Sequence, residues 1–451
     1  MSDTTHYRDL GLLETYFVSR NEIGFYSPVV VWTEYEAPIN RTVLISGVVK
    51  LLEKWSHLSA CVFRHLKPMQ FRLLTTIDLH NLIEFEDGQG SFVETYLPSL
   101  HKHTFDYDEK VPLWKITVYQ SKIIALTFDH ALLDGTAAAI FQVDLNKAMQ
   151  DVVPDTEIPT FFYGNSGTNK GFAIDQMRKL TPPFTVAVAA FAKEFFPSFL
   201  KPKSNIERTT SLYPPIAHPA TNVQYRQRVL STSDMAKLIS MCHQHASTFT
   251  FFLHTILCVA VANTLVLSKD LICDVPVNAR RFLPGPGYEK LAKPRYGNYV
   301  CRYRVISKRL EKFDWAEAMS QTETAKLKLA PDLLYSIGIL WYLFGKYTDY
   351  IKSQVGKPDR DSDMEISNLG AHYFTGYGKV VNMGFSQPQA TNNAPFELNV
   401  AGVKGECTTI MTRWSDSVTG EGIGNRFWVE LNLLLDGILD ITSSPAQSPP
   451  L

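Results

Sequence analysis

An excess of charge of either sign is missing from this sequence. Its 451 residues include 44 Lys and Arg against 45 Asp and Glu, which gives a net charge of −1. The balance supplies no electrostatic reason to expect nucleic acid or an anionic membrane as a partner. Hydrophobic residues make up 45% and charged residues 20%, as in ordinary globular proteins. The length is sufficient for two domains or one double-sized one.

Cysteine is scarce and scattered. The six cysteines are Cys61, Cys242, Cys258, Cys273, Cys301 and Cys407. They form no CxxC pair and no Cys/His spacing typical of zinc, so we expect buried free thiols in a reducing compartment and no metal site. The N-terminal stretch MSDTTHYRDLG lacks an apolar signal core, which favours a cytoplasmic protein over a secreted one.

The sequence has no hydrophobic run long enough to suggest a membrane span. The apolar stretches 184–200 and 333–345 both fall short of the roughly 20 residues that a span requires. The first also contains Lys193, Glu194 and Pro197. We interpret both as buried or interfacial helices, with a plain core helix favoured, and predict no integral span. Peripheral attachment to an intracellular membrane through 184–200 stays open, without support from charge.

Proline and polar residues cluster near the middle of the chain. The segment 196–222 is predicted to be a linker between an N-terminal subdomain, 1–195, and a C-terminal subdomain, 223–442. The end of the chain, SSPAQSPPL at 443–451, has the composition of a disordered tail.

Both halves mix helical and strand patterns. We predict helices at 40–58, 131–150, 233–246 and 249–265, and strands at 115–120, 122–129, 223–231 and 271–279. Ser233 is the predicted N-cap of the third helix. This alternation predicts an α/β fold of the α+β type, in which the sheets are mixed rather than purely parallel.

The most informative stretch is TFDHALLDGTAAAIF, at 127–141. It places His130 at the end of a predicted strand, Asp134 four residues later, and then Gly135, which we expect to loosen the backbone. A corner between strand and helix can present a side chain to a cleft on a rigid scaffold. Imidazole exchanges protons with hydroxyls or amines near neutral pH. The spacing alone leaves a general base and a hydrogen-bonded core histidine equally open.

Asp134 allows two interpretations. Its carboxylate could orient the imidazole, as the acid of a hydrolase triad does. It could instead pair with a buried cation, and Arg280 or Arg281 in DVPVNARRFLP is a candidate, because arginine suits bidentate pairing with a carboxylate. Both arginines could also be solvated.

HALLDG matches the HxxxDG motif of the CoA-dependent acyltransferase superfamily, which includes plant BAHD enzymes, condensation domains and chloramphenicol acetyltransferase. A later segment, 277–300, is similar to a BAHD pattern. Its matching residues are Asn278, Arg280, Pro284, Tyr296, Gly297 and Asn298. The chain most resembles the fungal alcohol O-acetyltransferase family, through 11–35, the TxFLH residues at 250–254 and ISNLGAHYF at 366–374. NMGFSQ at 382–387 departs from the BAHD DFGWG motif, so the CoA-binding residues stay unassigned.

The resemblance implies two chloramphenicol-acetyltransferase-like subdomains packed as a V around a central tunnel. CoA would enter from one face and the acceptor from the other. The resemblance also implies that His130 is the general base. Asp134 would be a structural brace paired with Arg280, and Asn278 would support that pair.

The same resemblance implies a tunnel-facing strand that carries Ser367 and Asn368, and Thr250 is a further candidate for the oxyanion site or the tunnel wall. These side chains would polarise the thioester oxygen. A polar strand end in a turn is an equally good interpretation.

The function predicted on this basis is acetyl transfer from acetyl-CoA to the hydroxyl of a small or medium hydrophobic alcohol or secondary metabolite. The expected partners are acyl-CoA and the acceptor, with no metal and no nucleic acid, and the expected state is a monomer. An N-acetyltransferase acting on a long-chain, sphingoid-like amine is the alternative. A non-catalytic ligand-binding relative is a further one.

Overall fold

A computed structural model of the chain describes residues 4–26, 28–153, 157–164, 171–195, 213–214, 216, 221–265, 270–357 and 360–441. The predicted linker 196–222 lies mostly outside the described residues, and the predicted tail 443–451 lies wholly outside them. The division of the chain at this linker stays a prediction. Below, the first half means the residues before the linker and the second half those after it.

Sixteen β-strands and fourteen α-helices lie within the described residues. The strands are β1 (Thr4–Asp9), β2 (Val29–Tyr35), β3 (Ala60–Phe63), β4 (Gln70–Leu74), β5 (Thr76–Asp78), β6 (Ile83–Glu86), β7 (Trp114–Tyr119), β8 (Ile123–Phe128), β9 (Phe161–Tyr163), β10 (Val223–Ser231), β11 (Leu271–Asn278), β12 (Val300–Ser307), β13 (Met364–His372), β14 (Val380–Ser386), β15 (Phe396–Val403) and β16 (Cys407–Ser415). The helices are α1 (Leu12–Glu22), α2 (Arg41–Lys54), α3 (Leu79–Leu82), α4 (Leu97–Leu100), α5 (Gly135–Gln150), α6 (Ile174–Met177), α7 (Phe184–Phe195), α8 (Thr232–Gln244), α9 (Phe249–Leu265), α10 (Trp315–Lys328), α11 (Tyr335–Phe344), α12 (Tyr347–Lys352), α13 (Asp416–Thr419) and α14 (Ile423–Ile441).

The two large sheets follow the orders β14-β2-β8-β7-β6 and β10-β16-β15-β13-β11-β12. Smaller sheets have the orders β1-β4-β3 and β5-β9. Both large sheets are mixed: β6 and β7 run parallel while β2 and β8 run antiparallel, and β13 lies parallel to both β11 and β15. The predicted α+β fold with mixed sheets is confirmed.

One strand of the second half completes the sheet of the first half. β14 pairs antiparallel with β2, so that Phe385 lies opposite Val31. The NMGFSQ stretch, which differs from the BAHD DFGWG motif, therefore lies mostly in β14, the edge strand of the first half's large sheet. Ala279 and Tyr299 of the second half also lie in the hydrophobic core of the first half. Because β14, Ala279 and Tyr299 pack into the first half, the core of the first half includes residues from both halves of the chain.

The second half has its own core around α9. Thirteen of the residues of α9 are buried, among them Phe252 and Leu257, which explains its nearly unbroken apolar sequence. The helix predicted at 249–265 and the strand predicted at 223–231 are confirmed residue for residue. Within the described residues no single helix has the length and apolar content of a membrane span. α8 and α9 pass that test only as a pair, and they are bent by 94°.

Three predicted details are wrong. The helix expected at 131–150 begins at Gly135, because the Asp134 side chain accepts from Ala137 N and caps it. α8 is capped by Ser231, which accepts from Asp234 N, rather than by Ser233. α7 is not a plain core helix: its Phe184 side chain is 83% exposed. All six cysteines are free, as predicted, and Cys407 alone of the six is half-buried rather than buried.

Candidate functional site

A cavity of about 570 Å³ lies between the two halves. The first half contributes side chains from α1 and from the corner after β8, such as Phe17 and His130. The second half contributes β13 and α11, through residues such as Ser367 and Leu340. The interlocked cores described above hold these walls against each other.

His130 stands at a tight corner held by the preceding residue. The buried carboxylate of Asp129 accepts from Ala131 N at 2.7 Å, from the Tyr107 hydroxyl at 2.6 Å and from Asn21 Nδ2 at 2.8 Å. Its backbone carbonyl accepts from Leu132 N at 3.0 Å. Residues 130–132 therefore form a turn that precedes the helix, and His130 lines the cavity.

The imidazole lies in an aromatic setting. Phe17 stacks on it, with ring centroids 4.1 Å apart and 5° between the planes, and Tyr26 approaches edge-on at 5.9 Å. Burial lowers the pKa of His130 to about 4, because the charged form is poorly solvated there. The positive charge of Arg20 acts in the same direction. The ring is thus neutral at physiological pH.

Asn298 binds the His130 corner through one amide nitrogen. Its Nδ2 donates to the backbone carbonyl of His130 at 2.6 Å and also lies 3.2 Å from the ring nitrogen Nδ1. A hydrogen bond of the ring with the backbone of His130 raises its pKa against the effect of burial. The other ring nitrogen, Nε2, has no hydrogen-bond partner among the described residues and is therefore available to a substrate.

Asp134 turns away from the imidazole. Its Oδ1 accepts from Ala137 N at 2.7 Å, and its Oδ2 accepts from Arg280 Nη1 and Tyr299 N, each at 2.7 Å. The Asp134 side chain is 4% exposed and that of Arg280 is 11% exposed. Of the two sequence interpretations, this geometry is that of a pair with a cation. It leaves the carboxylate no oxygen to orient His130.

Arg280 binds several groups at once. Besides Asp134, its guanidinium donates to the carbonyls of Pro294 at 3.1 Å and Gly297 at 3.1 Å. Asn278 accepts from Arg280 N at 3.1 Å and caps the short 3₁₀ turn that follows β11. Together these contacts join the end of β11 to the start of α5.

Gly135 has a different role from the expected one. Its backbone is not in the left-handed region, so conformational freedom is not the reason for glycine here. A Cβ on Gly135 would lie 2.9 Å from Leu369 Cδ2. The absent side chain allows β13 to approach the corner closely. The register of β13 against β15 shifts between Asn368 and Ala371, next to this contact.

The predicted oxyanion residues divide into two groups. Ser367 and Asn368 line the cavity, and Ser367 is 7% exposed. Thr250 is not among the residues that line it; its Oγ1 accepts from Asn368 Nδ2 at 3.1 Å. Asn368 Oδ1 accepts from Gly370 N at 2.8 Å. Thr250 thus holds Asn368 in place, and one N–H of the Asn368 amide is left for a ligand.

Sequence reasoning missed a polar group in the second-half wall. Glu365 stands two residues before Ser367, so both side chains lie on the same face of β13. Gln387 Nε2 donates to Glu365 at 2.8 Å, and Gln387 accepts from the Tyr26 hydroxyl at 3.3 Å. Burial, helped by the charge of Glu397, raises the pKa of Glu365 to about 8. A glutamate within a strand pattern gives no indication in the sequence that its carboxyl will be buried at a cavity wall with a raised pKa.

Phe17, Arg20 and Tyr26 were also missed as site residues. They lie within the N-terminal segment that carried the family resemblance, and the spacing Phe17–Arg20 indicates one face of a helix. Nothing in the segment itself indicates that this face meets His130. Among the described residues, no group of three or more His, Cys, Asp or Glu side chains is placed to hold a metal ion.

A family model described as alcohol acetyltransferase matches residues 9–420 of the chain. The chain belongs to the alcohol acetyltransferase family. It is therefore an acyltransferase, and membership of the family implies an acyl-CoA co-substrate. The match includes His130, Asp134 and Arg280, and both walls of the cavity.

Two curated relatives in this comparison are yeast proteins. The chain is 29% identical over 445 residues to an uncharacterized protein of Schizosaccharomyces pombe, covering 91% of this chain and 93% of the other. It is 23% identical over 449 residues to the N-acetyltransferase SLI1 of Saccharomyces cerevisiae, covering 88% and 92%.

Solved structures share the fold of the chain. The TRI3 trichothecene 15-O-acetyltransferase of Fusarium sporotrichioides superposes with a TM-score of 0.67 at 11% identity, covering 97% of this chain and 95% of that one. The epimerization domain of tyrocidine synthetase B superposes with a TM-score of 0.64 at 14% identity, covering 97% of each. Identities this low show the two-lobed fold only.

Proposed function

We propose that the protein transfers an acetyl group from acetyl-CoA to the hydroxyl of a hydrophobic acceptor, with His130 as the general base. The observation that carries the proposal is a neutral imidazole on the cavity wall. Its Nδ1 lies 3.2 Å from Asn298 Nδ2, and its Nε2 is not hydrogen-bonded by any described residue. In the proposed reaction the proton of the neutral ring is on Nδ1, so that the Nε2 lone pair faces the substrate, where a general base needs it.

In the proposed reaction, Nε2 takes the proton of the acceptor hydroxyl as the oxygen attacks the thioester carbonyl carbon. The new C–O bond gives a tetrahedral oxyanion. When the oxyanion collapses, the C–S bond breaks, and Nε2 returns the proton to the departing sulfur. The products are the ester and free CoA thiol, with no acyl-enzyme.

The imidazolium that forms in between has two stabilising neighbours. The face of Phe17 lies flat against it and can interact with a cation. The negative charge of Asp134 favours the protonated ring without contacting it. We place the oxyanion near Ser367 and the remaining N–H of Asn368, because both line the cavity on the opposite wall.

An amine acceptor is the second candidate. The proton transfer is the same for an amine as for a hydroxyl, so the geometry of His130 does not separate them. The observation that favours an amine is the similarity to a protein named an N-acetyltransferase, at 23% identity over nearly the whole length.

The test is release of free thiol from acetyl-CoA by the purified protein. Medium-chain alcohols and amines of matched length are offered as acceptors, each with a no-acceptor control. We expect acceptor-dependent release and a matching ester or amide by mass spectrometry. Absence of product with every acceptor would support the non-catalytic alternative instead.

A further inference from the structure

Arg20 is a buried arginine without an acidic partner among the described residues. It lies on α1, is 7% exposed, and lines the cavity. Its Nη2 donates to Asn393 Oδ1 at 3.2 Å, and no described residue hydrogen-bonds its Nε. A buried guanidinium with no counter-charge is costly, so an unsatisfied one on a cavity wall needs an explanation.

Other arginines at this cavity are paired. Arg304 Nε lies 2.8 Å from Asp274, and Arg302 Nη1 lies 3.2 Å from the same carboxylate. Arg360 is also buried without an acid among the described residues, but its Nη1 donates to two backbone carbonyls and it does not line the cavity. Arg20 therefore combines an unpaired charge with access to the substrate space.

Aromatic rings surround the Arg20 guanidinium. Its Cζ lies 4.5 Å from the centroid of Tyr26, 5.7 Å from that of Phe17 and 5.5 Å from that of Tyr16. Phe17 and Tyr26 also contact His130. The guanidinium and the imidazole thus share Phe17 and Tyr26 as neighbours, which places both on the same part of the cavity wall. The rings keep water away and hold the planar donor group in one orientation.

We propose that Arg20 is an anion subsite that binds a carboxylate of a substrate close to the reacting group. The diphosphate of CoA does not fit this position, because it lies a whole pantetheine arm away from the thioester. A carboxylate this near the base belongs either to the acceptor, as in a hydroxy acid, or to a dicarboxylic acyl group of the donor. The assignment of the base within this inference rests on the proposed function.

Binding is tested first, independently of turnover. Thermal shifts are measured with hexanoate and with 1-hexanol for wild type, Arg20→Gln, Arg20→Lys and the matched control Arg304→Gln. We expect hexanoate to stabilise wild type and Arg304→Gln more than 1-hexanol does, and this preference to disappear in Arg20→Gln and return in part in Arg20→Lys. Equal preference in wild type and Arg20→Gln overturns the proposal, even if no acyl transfer is detected.

Turnover then identifies the source of the carboxylate. One arm compares 6-hydroxyhexanoate with 1-hexanol as acceptors of acetyl-CoA. The other compares succinyl-CoA with butyryl-CoA, using 1-hexanol as acceptor. The carboxylate comes from the acceptor if the first arm responds and from the donor if the second does. In the arm that responds, Arg20→Gln should lower the ratio of kcat/KM for the carboxylate substrate to kcat/KM for the neutral substrate by about 10- to 100-fold. Arg304→Gln should leave this ratio unchanged in both arms.

Unliganded stability distinguishes the subsite from a structural arginine. Removing an uncompensated buried charge should leave the Tm of Arg20→Gln equal to that of wild type or above it. A lower Tm together with a proportional loss for carboxylate and neutral substrates would overturn the proposal.

Discussion

Arg280 donates from Nη1 to Oδ2 of Asp134 across 2.7 Å, although 146 residues separate the two in the chain. The bond crosses from the second half to the corner that carries His130, and Tyr299 N reinforces it at 2.7 Å. The aspartate of the HxxxDG motif thus shapes the corner rather than contacting the imidazole.

Asp134→Asn and Arg280→Ala should lower both stability and activity. Each leaves a buried charge without its partner, which costs roughly 3–5 kcal/mol in comparable buried pairs. The measurements are Tm by differential scanning fluorimetry and thiol release at a temperature where the variant is folded. The exposed pair Lys379–Glu36 provides the control, because Lys379→Ala should cost little. Normal melting with lost activity in Asp134→Asn would point to a direct catalytic role for the carboxylate.

If His130 is the general base, as proposed, His130→Ala should lower kcat by roughly 10²- to 10⁴-fold. The Tm should change little, since the corner is held by Asp129 and Asp134. The matched control is His103→Ala, which removes a half-buried histidine that is not among the residues lining the cavity. Its turnover should stay within about two-fold of wild type. Acylation of the true acceptor by His130→Ala at the wild-type rate would exclude the mechanism.

The pH profile should show a base that is deprotonated well below neutrality. The pKa of His130 is lowered from 6.5 to about 4, so the neutral form predominates above that value. The acidic limb of kcat/KM should therefore lie near pH 4, and the rate should change little with the protonation of His130 between pH 6 and 8. An acidic limb at pH 6.5 or above would contradict this environment for the base.

Gly135→Ala should reduce activity more than stability. The new Cβ would lie 2.9 Å from Leu369 Cδ2, the flexible end of a side chain, so β13 can yield beside Ser367 and Asn368. Alanine also favours the helix that begins here, by up to about 1 kcal/mol. The double variant Gly135→Ala/Leu369→Ala should recover part of kcat, measured as a double-mutant cycle. No coupling between the two substitutions would refute the contact as the cause.

Glu365→Gln should change how stability depends on pH. The pKa of Glu365 is raised from 4.5 to about 8, so between these values the folded protein retains a proton that the unfolded chain has released. Wild-type stability therefore falls as pH rises through this window, and the glutamine variant lacks this contribution. The Tm of the variant relative to wild type should increase by a few degrees from pH 5 to pH 8. The control Glu53→Gln, on the exposed face of α2, should keep the same Tm difference from wild type at pH 5 and pH 8.

Much of the local structure follows from the sequence alone. The β10 and α9 segments are predicted residue for residue, because alternation and an unbroken apolar run leave few other solutions. Helix starts are less certain, since Ser231 and Ser233 are equally good caps by type and the backbone decides which one accepts from Asp234 N. The motif at His130 and the segment around Arg280 indicate the family from the sequence alone.

Tertiary structure decided those features of the site that depend on contacts between residues far apart in the sequence. Asp134 could have served His130 or Arg280, and only packing of the two halves brings the guanidinium to it. Gly135 is explained by Leu369 on a strand more than two hundred residues away, not by its own backbone. A sequence likewise does not show that Arg20 is buried without an acidic partner among the residues that the structure describes. Periodicity and caps are properties of neighbours along the chain, whereas burial and ion pairing depend on which surfaces meet when the chain folds.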